Sequence, residues 1–306
     1  MKLLILALRR SGSTIFWSTF RQDPRLVCYD EPFNRRLMEL PRAHEKGTLD
    51  EYLRLLAADP QGFWERYTPV DRVDEVRPGL SDRQAGYLRY LADSQDRVVM
   101  DLTRCHFKVE ALKQVVPEAF VLHLHRAPAS FATSHLRPWI AQAERRWLRI
   151  GSPREAFWGH DPRCNGWGLE EVMGTGPRSL FGIRLQERGF DAERVQGAPA
   201  VARLLAFWQI HHDVVEEAGR RYFGERFLSL RFEDFCRDPE DVVAQVYGWM
   251  GEEMPPLDSG AVHPPAGAFQ EGAPGWTEAA RSVGVPDDPE HLFRRLAGAD
   301  ARQAVG

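Results

Sequence analysis

The chain has 306 residues, 43% hydrophobic and 27% charged, with 40 basic against 44 acidic side chains. That is the composition of an ordinary globular protein, and a formal net charge of −4 argues against a nucleic-acid binder, which would present a basic face. Four scattered cysteines (Cys28, Cys105, Cys164 and Cys236) contain no C-x-x-C pair, which argues against a zinc ribbon or disulfide scaffold and suits a reducing, cytoplasmic compartment.

The apolar run from Leu3 to Leu8 is too short for a helix and reads as a strand buried on both faces of a parallel sheet. It stops at Arg9-Arg10 without a small-residue cleavage site, so it is not read as a signal peptide, and no apolar stretch reaches the length of a membrane span. A helix is expected over Ser13–Phe20 and a second strand over Leu26–Tyr29. Residues 35–95 read as mostly helical, punctuated by Pro41, Pro60, Pro69 and Pro78-Gly79.

A third strand is expected at Val98–Met100, an amphipathic helix at Phe107–Val116, a fourth strand at Phe120–Leu124, and a helix from about Ala129 to His135. Residues 137–200 have weak periodicity and four tryptophans (Trp139, Trp147, Trp158, Trp167). They read as an insertion over the active site whose rings either line an acceptor surface or form its own core. A long helix at Val201–Ala218, a fifth strand at Phe227–Leu230 and a helix at Pro239–Met250 follow, and residues 255–306 read as a wrapping tail. Short apolar strands alternating with helices predict an α/β fold in one domain over 1–306: a parallel sheet flanked by helices.

Arg10-Ser11-Gly12-Ser13-Thr14 falls between the first strand and the first helix. Free amides and the positive end of the helix dipole make that junction an anion site. Gly12 permits close backbone approach, Ser13 and Thr14 can cap and donate, and Arg10 adds a permanent cation. A Walker A loop is excluded, because its first glycine and its lysine are both missing. After the fourth strand, Arg126-Ala127-Pro128 sits where open parallel sheets bind ligands, with Ser134 eight residues on, a little over two helical turns.

Together these stretches resemble those of sulfotransferases that use 3′-phosphoadenosine 5′-phosphosulfate (PAPS). Arg10–Thr14 resembles the family's 5′-phosphosulfate loop, and Arg126 with Ser134 its 3′-phosphate motif. Glu31-Pro32-Phe33 is similar to the Glu-Pro of carbohydrate-type and bacterial members. Leu230–Phe235, Asp238-Pro239-Glu240 and Trp249-Met250-Gly251 resemble their late strand–turn–helix segment. Arg10 stands where many cytosolic members have Lys, and Ile15 where they have a Trp, which places the likeness with the carbohydrate-type and bacterial branch.

The resemblance implies a P-loop-like fold and transfer of a sulfuryl group from PAPS to a hydroxyl of a carbohydrate or small molecule. It implies no metal and no covalent intermediate. Arg10, Ser11, Gly12, Ser13, Thr14, Arg126 and Ser134 are expected to hold the donor, with Arg10 also serving the chemistry. The catalytic base is expected after the third strand, at His106 or Asp101, with Arg104 able to stabilise the group in transfer. The His-x-His pair His123 and His125 has the spacing of a strand metal site, but no third ligand is apparent in the sequence. A small-molecule kinase or a non-catalytic nucleotide-binding module is the alternative; the kinase lacks its Walker-type Lys.

Overall fold

The computed structural model describes residues 1–42, 47–128, 130–132, 135, 178–198 and 200–258. The chain divides into two compact units, one made of Met1–Arg126 and His211–Ala266, the other of Ala127–Ile210 and Gly267–Gly306.

The first unit holds a parallel sheet of β1 (Lys2–Leu6), β2 (Val27–Asp30), β3 (Val98–Asp101), β4 (Phe120–His125) and β5 (Phe227–Arg231). Its order is β2-β3-β1-β4-β5, and every adjacent pair is parallel. The first strand is therefore central. Leu4 pairs in register with Met100 on one side and Val121 on the other.

Alternation along these strands feeds two apolar cores, because successive side chains point to opposite faces. One face sends Leu4, Leu6, Tyr29, Val98, Met100 and Val121 into a core with Tyr52, Phe63, Tyr87, Leu112 and Val215. The helices α2 (Asp50–Ala58), α3 (Pro60–Arg66), α4 (Asp82–Ala92) and α5 (Val109–Val115) supply much of that packing. The other face sends Leu3, Ile5, Cys28, Val99, Leu122 and Leu124 against α1 (Ser13–Phe20) and two late helices. Phe16, Trp17 and Phe20 are fully buried there, each contributing about 1.5–3 kcal/mol by removal of apolar surface from water. Cys28 and Cys236 belong to this second core and Cys105 to the first.

In the remaining segments, α6 (Leu180–Glu187) and α7 (Ala192–Gly197) lie in the second unit, α8 spans Ala200–Phe223, and α9 (Phe232–Arg237) and α10 (Pro239–Trp249) close the first. Several helix starts carry side-chain caps. Ser81 and Gln84 form a reciprocal capping box at α4, Ser179 caps α6 and Asp238 caps α10.

Three expectations are refined. Residues 35–42 and 73–76 form 3₁₀ turns rather than α-helix, and the segment expected as one helix from Phe107 begins with a 3₁₀ turn at His106–Lys108. The helix expected to end at Ala218 runs on to Phe223. Most of the 137–200 insertion and of the 255–306 tail lies outside the described residues. Among the described residues, no helix is long and apolar enough to cross a membrane.

Candidate active site: the loops at the carboxyl ends of β1, β3 and β4

Between β1 and α1 the chain turns sharply: the Ser11 amide donates to Leu8 O at 3.0 Å, and the Ile15 and Phe16 amides converge on Gly12 O at 3.1 Å. Arg10 (φ 69°) and Gly12 (φ 86°) both adopt left-handed backbone. For a side-chain-bearing residue such as Arg10 that conformation costs about 1–2 kcal/mol, and strain of this kind collects at binding sites.

Gly12 is required twice over, since a Cβ there would lie 2.1 Å from the Phe232 ring. It is also the N-cap of α1, without a side-chain cap and with no acidic residue in the first turn. The sequence suggested Ser13 as a possible cap; instead Ser13 is the first residue of the helix itself. The amides of Ser13 and Thr14, ahead of those bonded to Gly12 O, have no intrahelical carbonyl to bond, so they and the dipole face the loop's concavity.

Arg126 begins the loop after β4, directly beside β1 in the sheet. Its Nη1 donates to the carbonyl oxygen of Arg10 at 3.0 Å, and its guanidinium carbon lies 5.6 Å from the Phe232 ring centroid. The structure thus brings Arg126 to Arg10–Gly12. Ser134 lies outside the described residues. Arg10 and Thr14 are exposed, while Ser11 and Ser13 are buried.

Sequence reasoning named Arg104 but missed its assembly with Arg9 on a shared carboxylate. Arg9 and Arg104 both donate to Oε1 of Glu75, and all three side chains are nearly buried. Burial raises the Glu75 carboxyl and lowers the Arg9 guanidinium from their ordinary values, while the opposite charges resist both shifts. Two guanidiniums thus share one carboxylate beside the loop, and Glu31 also acts electrostatically on Arg9. Lys108 fixes the turn that carries Glu75: its buried Nζ donates to Asp74 O (2.9 Å), Arg77 O (2.8 Å) and Gly79 O (2.9 Å). No local motif announces this, because Glu75 is 66 residues from Arg9 in sequence.

The two base candidates have opposite environments. Asp101 ends β3, fully buried and in register with Asp30 of β2. Burial pushes its carboxyl well above the usual carboxylate range, the charges of Asp30 and Glu31 add to this, and Ser13 and Arg36 oppose it only in part. Asp101 therefore favours its protonated form. Asp30 keeps an ion pair with Arg36.

His106 is 2% exposed, and its Nε2 has no hydrogen-bond partner among the described residues. Burial first, then His211, His123 and Arg9, hold it well below the ordinary imidazole value, so it is neutral and keeps an acceptor lone pair. Its ring meets His211 edge-on at 5.3 Å. Glu31 follows β2 directly, half-buried, with a left-handed φ of 44°, and its carboxylate accepts from Asn34 Nδ2.

A central strand followed by a glycine turn and helix, flanked by parallel strands in the order 2-3-1-4-5, defines the P-loop-like α/β class. Within that class, residues 3–160 match the model of the sulfotransferase family; the match covers half of the chain, and the chain belongs to that family. No curated protein matches it. Among solved structures it is similar to the sulfotransferase domain of the Synechococcus PCC 7002 olefin synthase, at 16% identity and a TM-score of 0.46, over 83% of this chain and 74% of that one. It is also similar to a sulfotransferase from Alicyclobacillus acidocaldarius, at 16% identity and a TM-score of 0.45, over 93% and 96% of the two chains.

Proposed function

We propose that this chain is a cytoplasmic enzyme transferring a sulfuryl group from PAPS to a hydroxyl of a carbohydrate or small-molecule acceptor, by in-line displacement without a metal. The observation that carries the reading is the bond from Arg126 to the Arg10 carbonyl, which joins two anion-binding loops 116 residues apart in sequence into one cradle. The residues fit the donor. The amides at the start of α1 and Arg10 suit its 5′-phosphosulfate, and Arg126, with Ser134, its 3′-phosphate.

In the reaction the acceptor oxygen bonds to sulfur as the bond from sulfur to the bridging phosphate oxygen breaks, and the hydroxyl proton passes to a base. Arg10 and the α1 amides neutralise the leaving phosphate, with the Arg9 and Arg104 guanidiniums beside the loop. His106 is the base in this reading, being neutral and supplied with a lone pair, whereas Asp101 favours its proton. Glu31 is a second reading for the base, because it is more accessible than either and its backbone is strained.

Calorimetric titration with 3′-phosphoadenosine 5′-phosphate, the nucleotide product, tests the reading. Micromolar or tighter binding without Mg²⁺ is expected, with most of it lost in Arg126→Ala. Tight Mg²⁺-dependent ATP binding with no response to the 3′-phosphorylated nucleotide would overturn the proposal in favour of a kinase.

A further inference from the structure

On the face of the sheet that packs Leu4, Leu6 and Val121, β4 also presents His123, in register with Leu6. The chain crosses this face again in α8, whose Val215 joins the same apolar core. Around Val215 the helix turns two further polar side chains inward, His212 and Glu216, spaced i, i+4 and so on one face.

His123, His212 and Glu216 are 3%, 2% and 4% exposed, a concentration of polar groups that an apolar core does not tolerate without a use for them. One potential ligand atom from each lies within 4.8 Å of the other two. His125 flanks the group, its ring 5.3 Å from that of His123 and 5.0 Å from that of His212.

Supporting contacts fix the carboxylate. Glu216 Oε1 lies 2.6 Å from His123 Nδ1 and accepts from Ser229 Oγ, also at 2.6 Å, while Oε2 accepts from Arg220 at 3.0 Å. A hydrogen-bonded His–Glu pair would need only His123 and Glu216. Placing the second imidazole against both, and orienting the carboxylate from two sides, is the arrangement of a metal centre with its outer supports.

We propose that His123, His212 and Glu216 bind a divalent transition-metal ion, with zinc the best match to two imidazoles and a carboxylate. Bonds of about 2.0–2.2 Å at tetrahedral angles hold ligand atoms about 3.4 Å apart, so the side chains close inward by up to about 1.4 Å from the 4.8 Å span as the ion binds. The proton shared by His123 and Glu216 leaves to solvent as the metal takes its place. The ion clamps α8 to β4 three residues before Arg126 and takes no part in group transfer; this inference does not rest on the sulfuryl-transfer reading. The sequence hid it because His212 lies 89 positions from His123.

The test uses the full chain, stripped with a chelator and dialysed, then titrated with Co²⁺ alone and with Zn²⁺ alone. One equivalent of Co²⁺ is expected to give the intense visible absorption of a four- or five-coordinate site, and Zn²⁺ to displace it and raise Tm with concentration. His212→Gln and Glu216→Gln should each weaken binding about 100-fold or more, while His211→Gln, on the neighbouring helix position, leaves it unchanged. Absence of both the Co²⁺ spectrum and the Zn²⁺-dependent Tm shift in the wild-type chain overturns the proposal, whatever the variants do. Equal binding by wild type, His212→Gln and Glu216→Gln overturns it as well. Nucleotide binding, read by calorimetry in the metal-free protein, fails or succeeds separately.

Discussion

Arg126 and Arg10 are joined by a single 3.0 Å hydrogen bond from the guanidinium of one to the backbone carbonyl of the other. The bond exists because β4 lies beside β1, which brings the loops that leave their carboxyl ends together. It also shows why lysine is a poor substitute at 126. A guanidinium can donate to the Arg10 carbonyl with one nitrogen and lie near the Phe232 ring with its planar, delocalised charge, whereas an ammonium is a single point charge.

Gly12→Ala is expected to damage the loop from two directions, by its left-handed backbone and by the clash with Phe232. The backbone share alone is about 1–2 kcal/mol. Thermal unfolding should show the loss of stability, and titration with the 3′,5′-bisphosphate nucleotide should show binding reduced at least tenfold. The double variant Gly12→Ala/Phe232→Ala should recover part of the binding but not all, because only the clash is relieved.

Removing the carboxylate at Glu75 leaves Arg9 and Arg104 buried without their counter-ion. Loss of one partner of a buried ion pair typically costs about 3–5 kcal/mol, so Glu75→Gln should unfold in urea at a clearly lower midpoint. Lys108→Met strands three carbonyls at Asp74, Arg77 and Gly79 and should lower stability as well. Equal midpoints for wild type and Glu75→Gln would show that the cluster contributes nothing to the fold.

The neutral state of His106 has a defined pH signature. Its folded value lies below the unfolded value of about 6.5, so its contribution to stability is complete above that pH and is lost as pH falls toward the folded value. The slope is about 1.4 kcal/mol per pH unit for this one group, and His106→Asn should remove it from a urea–pH series. With His106 as base, the acidic limb of kcat lies well below pH 6.5. A limb at or above pH 6.5 would exclude it from that role.

Asp101 runs the other way. Its folded value is raised, so its favourable share of stability is present below about pH 3.9, the unfolded value, and is lost as pH rises through the folded one. Asp101→Asn keeps the shape without the charge, and its stability advantage over wild type should grow as pH rises above about 3.9 toward the raised folded value. Retained turnover in the same variant would support His106 or Glu31 over Asp101, while loss of turnover with intact nucleotide binding would restore Asp101 as the base.

What could be read from the sequence was whatever is local. Ser13–Phe20 is helical from end to end as expected, and all five strands fall within two residues of their expected ends, because each is a short apolar run with a sharp polar boundary. The glycine of the first loop was legible for the same reason, since a turn between strand and helix demands it. Groups assembled from distant segments were not legible. Glu75 sits in a 3₁₀ turn with no periodicity of its own, and its two arginine partners come from separate strand ends. The protonation states of Asp101 and His106 were equally hidden, because burial sets them and neither residue's neighbours in sequence report it.

The cysteines carry a practical consequence. Cys28 and Cys105 lie in separate cores on opposite faces of one sheet, and burial makes both thiols reluctant to ionise, pushing Cys105 up to about 12. Each is thus silent toward alkylating reagents until its own layer of helices lifts. With Cys164 and Cys236 replaced, the chain becomes a two-channel recorder of its own opening. Labelling of one thiol ahead of the other reports that a single layer has peeled away, and matched labelling rates report that the whole sheet has come apart at once.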